Sequence, residues 1–174
     1  MLEYKQSIKD ISTQNGTFYG YASVFNVKDS YNDIILNGAF KNSLKHNNIK
    51  NINLLWQHDK QKIIGNFNII KEDSVGLYVE GKINNTNDNI YSYVKSGFIK
   101  GLSIGYRVND FYFDNKGNRI LKDVDLIEIS IVNCPANKHS NITYCKSKYY
   151  NSHYNTLSCK IDRLINNFNL DITL

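Results

Sequence analysis

No apolar run in this 174-residue chain approaches the length of a membrane span, and the opening "MLEYKQSIKD" lacks the uninterrupted apolar core of a signal peptide. Cysteine is scarce as well. Cys134, Cys145 and Cys159 make an odd number without C-x-x-C spacing, which argues against a paired disulfide framework and suits a reducing compartment. A soluble, intracellular protein is expected. No cluster has metal-ligand spacing, no glycine loop is built to cradle phosphates and no internal repeat occurs, so neither metal nor cofactor is expected. The formal net charge is +5, but basic residues never run longer than two and are interspersed with carboxylates. That pattern reads as a solvated surface rather than a nucleic-acid footprint.

What is present is a globular composition, with 41% hydrophobic and 13% aromatic residues, in a length that suits one domain with its own core. "TFYGYASVF" (17–25) alternates aromatic and small residues as a strand does, and "NVKDSYND" supplies loop chemistry. Phe40 and Leu44 have helical spacing. Ile52, Leu54 and Trp56 share one face of a strand that ends at His58, which precedes Asp59 and Lys60 at a strand-to-loop junction. "KIIGNFNIIKED" and "VGLYVEGKI" read as a hairpin turning at the polar "KEDS", followed by a helix over about 88–97. Further strands are expected over 101–109, 119–124 and "LIEISIV" (126–132), the last ended by the single proline, Pro135. The fold class is therefore β-rich α+β: one barrel-like or sandwich-like sheet with flanking helices. Domain limits of 1–145 follow, with 146–174 as a polar linker and a short amphipathic helix carrying Leu157, Ile161, Leu164, Ile165 and Phe168.

One short motif carries chemistry. "IKGLSIGYRV" (99–108) contains G-x-S-x-G at Gly101, Ser103 and Gly105, the spacing that surrounds the nucleophile of many hydrolases. In an α/β-hydrolase the serine sits between a strand and a following helix. Here the order is reversed, because a helix-like segment precedes the motif and an alternating strand follows it. Ser103 thus reads as a strand residue facing away from Leu102 and Ile104, with Gly101 and Gly105 leaving room for another backbone. A serine nucleophile needs a base, usually an oriented imidazole. Among His46, His58, His139 and His153, His58 stands out because it ends an apolar strand, where a rigid scaffold can aim it. Glu128, set inside "LIEISIV", is the candidate orienting group, with Asp59 and Asp125 behind it. Cys134 reads as a core residue at a strand end.

Five blocks in register, "GYASVFNVKDSYNDIILNGAF", "LLWQHDKQKIIGNF", "VGLYVEGKI", "IKGLSIGYRV" and "DLIEISIVNCPAN", together resemble the prohead, or capsid maturation, serine proteases of tailed bacteriophages. That family is related in fold to the herpesvirus assemblins, and the resemblance spans about residues 16–141. It implies an assemblin-like fold and a serine endopeptidase without cofactor, acting in the host cytoplasm inside the assembling procapsid. The substrate implied is the major capsid protein precursor or its scaffold segment, and the protease itself, with possible self-association and with no specific nucleic acid or membrane partner. The family's histidine falls on His58 and its nucleophile on Ser103, while Glu128 matches the acidic position of the last block. For this third place Asp125, Asp59 and His139 stay in contention. Backbone N–H groups near Ile104 and Gly105, or the Arg107 side chain, are candidates for an oxyanion hole. Two other readings compete: a non-catalytic capsid scaffold protein, and a β-rich nucleic-acid-binding module.

Overall fold

A computed structural model describes residues 16–84 and 89–145. The chain runs β1 (Thr17–Val24), β2 (Asp33–Ile35), α1 (Lys41–His46), a 3-10 turn (Ile49–Asn51), β3 (Asn53–Trp56), β4 (Asp59–Glu72), β5 (Gly76–Ile83), α2 (Asn89–Lys95), β6 (Gly101–Phe113), β7 (Arg119–Val132) and β8 (Ile142–Cys145). The strands form one sheet in the order β2-β7-β3-β4-β5-β1-β8, with β6 pairing β7. Hydrogen bonds from Ile142 N–H to Lys100 O and from Leu102 N–H to Ser140 O join β6 to the residues leading into β8. The sheet is therefore bonded across at this point, within the β-rich, barrel-like or sandwich-like architecture expected. The amphipathic C-terminal helix expected over 157–168, with His153 and Cys159, lies outside the described residues.

The strands follow their sequence patterns. In β1, Phe18 and Ala22 point into the core while Tyr19 and Tyr21 are only half-buried. The β4–β5 hairpin turns at Asp73, whose Oδ1 accepts from the N–H groups of Val75 (2.7 Å) and Gly76 (3.0 Å), an aspartate-centred turn. Two expectations are corrected. The strand expected to stop at Val124 and the run "LIEISIV" are one element, the 14-residue β7. Leu55, placed opposite the buried face of β3, is itself 2% exposed, as Leu54 is 0%, so this short strand between β4 and β7 is buried on both faces.

β7 is the element that positions everything else. One of its edges pairs with β2 at residues 119–121 and with β3 at residues 128–131, both in parallel. Helix α1 and the residues leading into it fill the gap between them: Val124 N–H donates to Ala39 O (2.9 Å), ahead of the helix, and Leu126 N–H to Ser43 Oγ within it (2.9 Å). On the other edge, the register with β6 shifts between Gly105↔Glu128 and Tyr106↔Leu126, leaving Ile127 as an extra, half-exposed residue. That β-bulge changes the phase of the strand. Val124 and Leu126 before it and Ile129 and Ile131 after it all enter the same core cluster, which no uninterrupted alternation allows. Glu128 and Ser130 are consequently turned to the opposite face together, in line with Gly105 and Ser103 of β6.

Candidate active site

His58 sits in a two-residue turn, not ahead of a loop as its sequence context indicated. Trp56 pairs with Asp59, and both residues between them, Gln57 (φ 54°) and His58 (φ 61°), are left-handed. Hairpins of this kind prefer Asn-Gly, and each non-glycine residue in that region costs about 1–2 kcal/mol. The cost is met by anchoring to β7 and its end. Gln57 N–H donates to Ile131 O (3.0 Å), His58 N–H to Ser130 Oγ (3.1 Å), and Asn133 N–H to Gln57 Oε1 (3.4 Å). Backbone strain held at one histidine by its surroundings is a mark of functional geometry.

The imidazole is then tied to a carboxylate. Glu128 is 8% exposed, so the solvent-facing alternative for it is overturned, and its Oε1 lies 2.7 Å from His58 Nδ1. Its Oε2 accepts from Ser130 Oγ at 2.7 Å. Glycine 105 makes room for this carboxylate, because a Cβ there would come within 2.5 Å of Glu128 Oε1. The sequence had assigned that space to a neighbouring backbone; it belongs to a side chain. Ser103, in register with Ser130, is 8% exposed. Its hydroxyl forms no hydrogen bond among the described residues.

Ser103 and His58 both line a cleft of about 450 Å³, whose other walls include Asp29, Asp33, Tyr106 and Cys134. Cys134 is exposed there, contrary to its reading as a core residue, because β7 ends at Val132 and the chain turns over the cleft beyond it. The remaining candidates are not gathered in. His46 ends α1 on the surface, and His139 is exposed past Pro135. Asp59 is exposed and caps its own turn through Gln61 N–H, and Asp125 pairs in register with the exposed Arg107 beyond the bulge. Arg107 does not line the cleft. Among the described residues, no cluster of His, Cys, Asp or Glu is arranged to hold a metal ion.

A buried carboxylate in the wall of this cleft escaped the sequence reading. Asp33, 2% exposed, receives Arg119 Nε at Oδ1 (2.7 Å) and both Arg119 Nη2 (2.6 Å) and the Tyr106 hydroxyl (2.7 Å) at Oδ2. Burial pushes its carboxyl up, but the Arg119 and Tyr106 hydrogen bonds outweigh it and hold the pKa below the ordinary aspartate value. Tyr106 is pushed well above an ordinary phenol by burial and by the Asp33 anion. Asp29 is raised, chiefly by burial. The parallel pair Asp33↔Arg119 makes this cluster, and no local pattern announces a pairing across so much chain.

The profile of the caudovirus prohead serine proteases matches residues 3–155. The chain belongs to that family. It is 36% identical over 140 residues to the prohead protease of Enterobacteria phage HK97, covering 77% of this chain and 62% of that protein. It is also 35% identical over 131 residues to the prohead protease of Escherichia phage T5, covering 74% and 62%. The matched part thus spans 62% of the length of these two curated relatives. A capsid polyprotein of Pseudomonas phage PAJU2 is 33% identical over 107 residues, 55% of this chain and 16% of that one. Among solved structures, the bacteriophage T4 capsid assembly protease superposes with a TM-score of 0.55 at 13% identity, over 67% of this chain and 80% of that one. The KSHV protease superposes with a TM-score of 0.52 at 10% identity, over 75% and 65%. These two likenesses carry the fold: the chain is assemblin-like, as its five sequence blocks implied.

Proposed function

We propose that this chain is a serine endopeptidase of prohead maturation that cleaves the capsid precursor or its scaffold segment, and itself, within the assembling procapsid in the host cytoplasm. Ser103 is the nucleophile, His58 the general base and Glu128 the orienting carboxylate. The observation that carries the reading is the 2.7 Å contact between His58 Nδ1 and buried Glu128, made beside a buried serine on a shared cleft. With Nδ1 engaged, Nε2 is the nitrogen left to take the Ser103 proton as Oγ attacks the peptide carbonyl. The same proton passes to the departing amine, and water then releases the acyl group with His58 acting as base again. The names of the relatives, two prohead proteases and a capsid polyprotein, fit a capsid substrate. Neither a passive scaffold protein nor a nucleic-acid-binding module has a use for an imidazole backed by a buried carboxylate.

Co-expression with the cognate capsid precursor tests the proposal. Ser103→Ala loses one hydroxyl that makes no hydrogen bond among the described residues, so it is expected to fold normally and to abolish processing. His58→Ala is expected to be nearly as inactive, since members of a triad act as a unit. Processing at the wild-type rate by Ser103→Ala would place the nucleophile elsewhere.

A further inference from the structure

Ser130 is a fully buried hydroxyl, 0% exposed, in the middle of the most apolar stretch of β7. Its two hydrogen bonds both lead to the site. The direction of each is fixed by chemistry, beginning with a group that has no choice: the backbone N–H of His58 can only donate, so Ser130 Oγ accepts from it at 3.1 Å. The hydroxyl proton is thereby free for Glu128 Oε2, 2.7 Å away. Ionised Glu128 is acceptor-only and has Oε1 remaining, 2.7 Å from His58 Nδ1. That nitrogen must then carry the proton. The chain of bonds leaves His58 through its backbone and returns to the same residue through its ring.

We propose that Ser130 is a positioning residue: by joining the His58 backbone to the Glu128 carboxylate it holds the imidazole in the Nδ1–H tautomer, with Nε2 unprotonated. This rests on the catalytic roles proposed above for His58 and Glu128. The left-handed turn gives the link a second task, since His58 N–H is one of the bonds that hold His58 at φ 61°. A carboxylate anchored at one oxygen has a defined orientation to offer an imidazole at the other, which is how outer partners set the tautomer of a working histidine.

Two readouts on the full-length protein test this. The first is the rate at which a fluorophosphonate labels Ser103, which needs no natural substrate. Ser130→Ala is expected to slow labelling about ten- to a hundredfold, the loss of a hydrogen bond to a charged group. Ser130→Thr, which keeps the hydroxyl, is expected to recover most of that rate. In a Glu128→Gln background, Ser130→Ala is expected to cost less than about threefold, because the carboxylate it steers is already gone. The second readout is the ring nitrogen shifts of His58 in NMR, which report the tautomer whether or not the protein is active. They are expected to show Nδ1–H in the wild type and a mixed population in Ser130→Ala. Should Ser130→Ala melt out, Ser130→Cys preserves the volume with a weaker donor and is expected to shift both readouts the same way by less. An unchanged tautomer, or an equal labelling loss with and without the Glu128 carboxylate, overturns the positioning role while leaving the triad standing. Undiminished labelling in Ser103→Ala and His58→Ala would instead overturn the triad.

Discussion

Two buried carboxylates serve one cleft, Asp33 in its wall and Glu128 behind the His58 that lines it, and they are partnered in opposite ways. Asp33 is held by a guanidinium and a phenol, an arrangement whose charge state does not change across the working pH range. Glu128 is held by a serine hydroxyl and an imidazole, the one side chain able to gain and lose a proton near neutrality. Their surroundings differ to match. Asp33 sits at the start of a three-residue strand and receives a bidentate fork from Arg119, its partner in the β2–β7 ladder, so its bonds staple two distant pieces of chain. Glu128 is beside a bulge, across from a glycine that clears space for it, facing a turn whose backbone is left-handed at two non-glycine positions. With the roles proposed above, the contrast separates a stabilising carboxylate from a working one although both are buried. A fixed charge partner indicates structure; a titratable partner on strained backbone indicates chemistry.

The sharpest way to break that contrast is to neutralise Glu128 without changing its shape. Glu128→Gln is expected to stay folded and to lose roughly two to four orders of magnitude in precursor cleavage, the range over which orienting carboxylates act. Thermal melts alongside the cleavage assay separate lost catalysis from lost fold. Near-normal turnover would return Glu128 to the structural class and direct attention to Asp125, Asp59 or His139.

The converse experiment strikes the other carboxylate. Arg119→Ala leaves Asp33 buried with the Tyr106 hydroxyl but no cation, and is expected to cost about 2–3 kcal/mol of stability. That is below the usual range for a broken buried pair, because the Arg119 side chain is 38% exposed and water enters in its place. Activity per folded molecule is expected to fall far less than in Glu128→Gln. The pair also sets an acid limit. Since the folded pKa of Asp33 is lowered, its contribution is complete above the unfolded aspartate value of about 3.9 and is lost as pH falls through the folded value. Asp29 runs the other way, its raised pKa favouring the fold in acid and that advantage fading as pH rises. Melting temperatures measured from pH 6 down to pH 2 should therefore drop more steeply for the wild type than for Asp33→Asn. Parallel curves would show that Asp33 is not what gives way.

How much of this was written in the sequence depends on how far apart the partners lie. Strands whose faces are distinguished by side chains two apart, such as β1, β4, β5 and β6, could be read directly, and so could Ser103 as a strand residue. The Glu128–Ser130 alternation in "LIEISIV" was also visible, and two polar residues two apart on an apolar strand were the available signal for Ser130. The bulge at Ile127 was not visible, because it comes from the register with β6 and from Ala39 O, just before α1, and Ser43 Oγ, within it, bonding to β7. Asp33, Arg119 and Tyr106 meet only through non-local pairing, so "NVKDSYND" shows only the turn chemistry of a loop. His58 was singled out by its place at the end of "INLLWQ", yet its turn was missed, since Gln-His carries none of the glycine or asparagine chemistry that marks such turns.

The smallest effects are expected where carboxylates flank the site without joining it, and they calibrate the whole comparison. Asp59 follows His58 directly in the chain, yet its Oδ1 is spent on Gln61 N–H at 2.9 Å, on an exposed hairpin end. Asp125 is three residues from Glu128, but the bulge between them places it opposite exposed Arg107. Sequence distance alone would make both strong candidates for orienting an imidazole. Geometry removes them, because a carboxylate must lie within hydrogen-bond reach of Nδ1, and Glu128 already occupies that position at 2.7 Å. Asp59→Asn and Asp125→Asn are therefore expected to keep cleavage within about threefold of wild type and stability within about 0.5 kcal/mol, as for ordinary surface changes. Measured beside Glu128→Gln in one precursor-cleavage series, a hundredfold loss in either would mean that the orienting group in solution is not the one bonded to His58 in this structure.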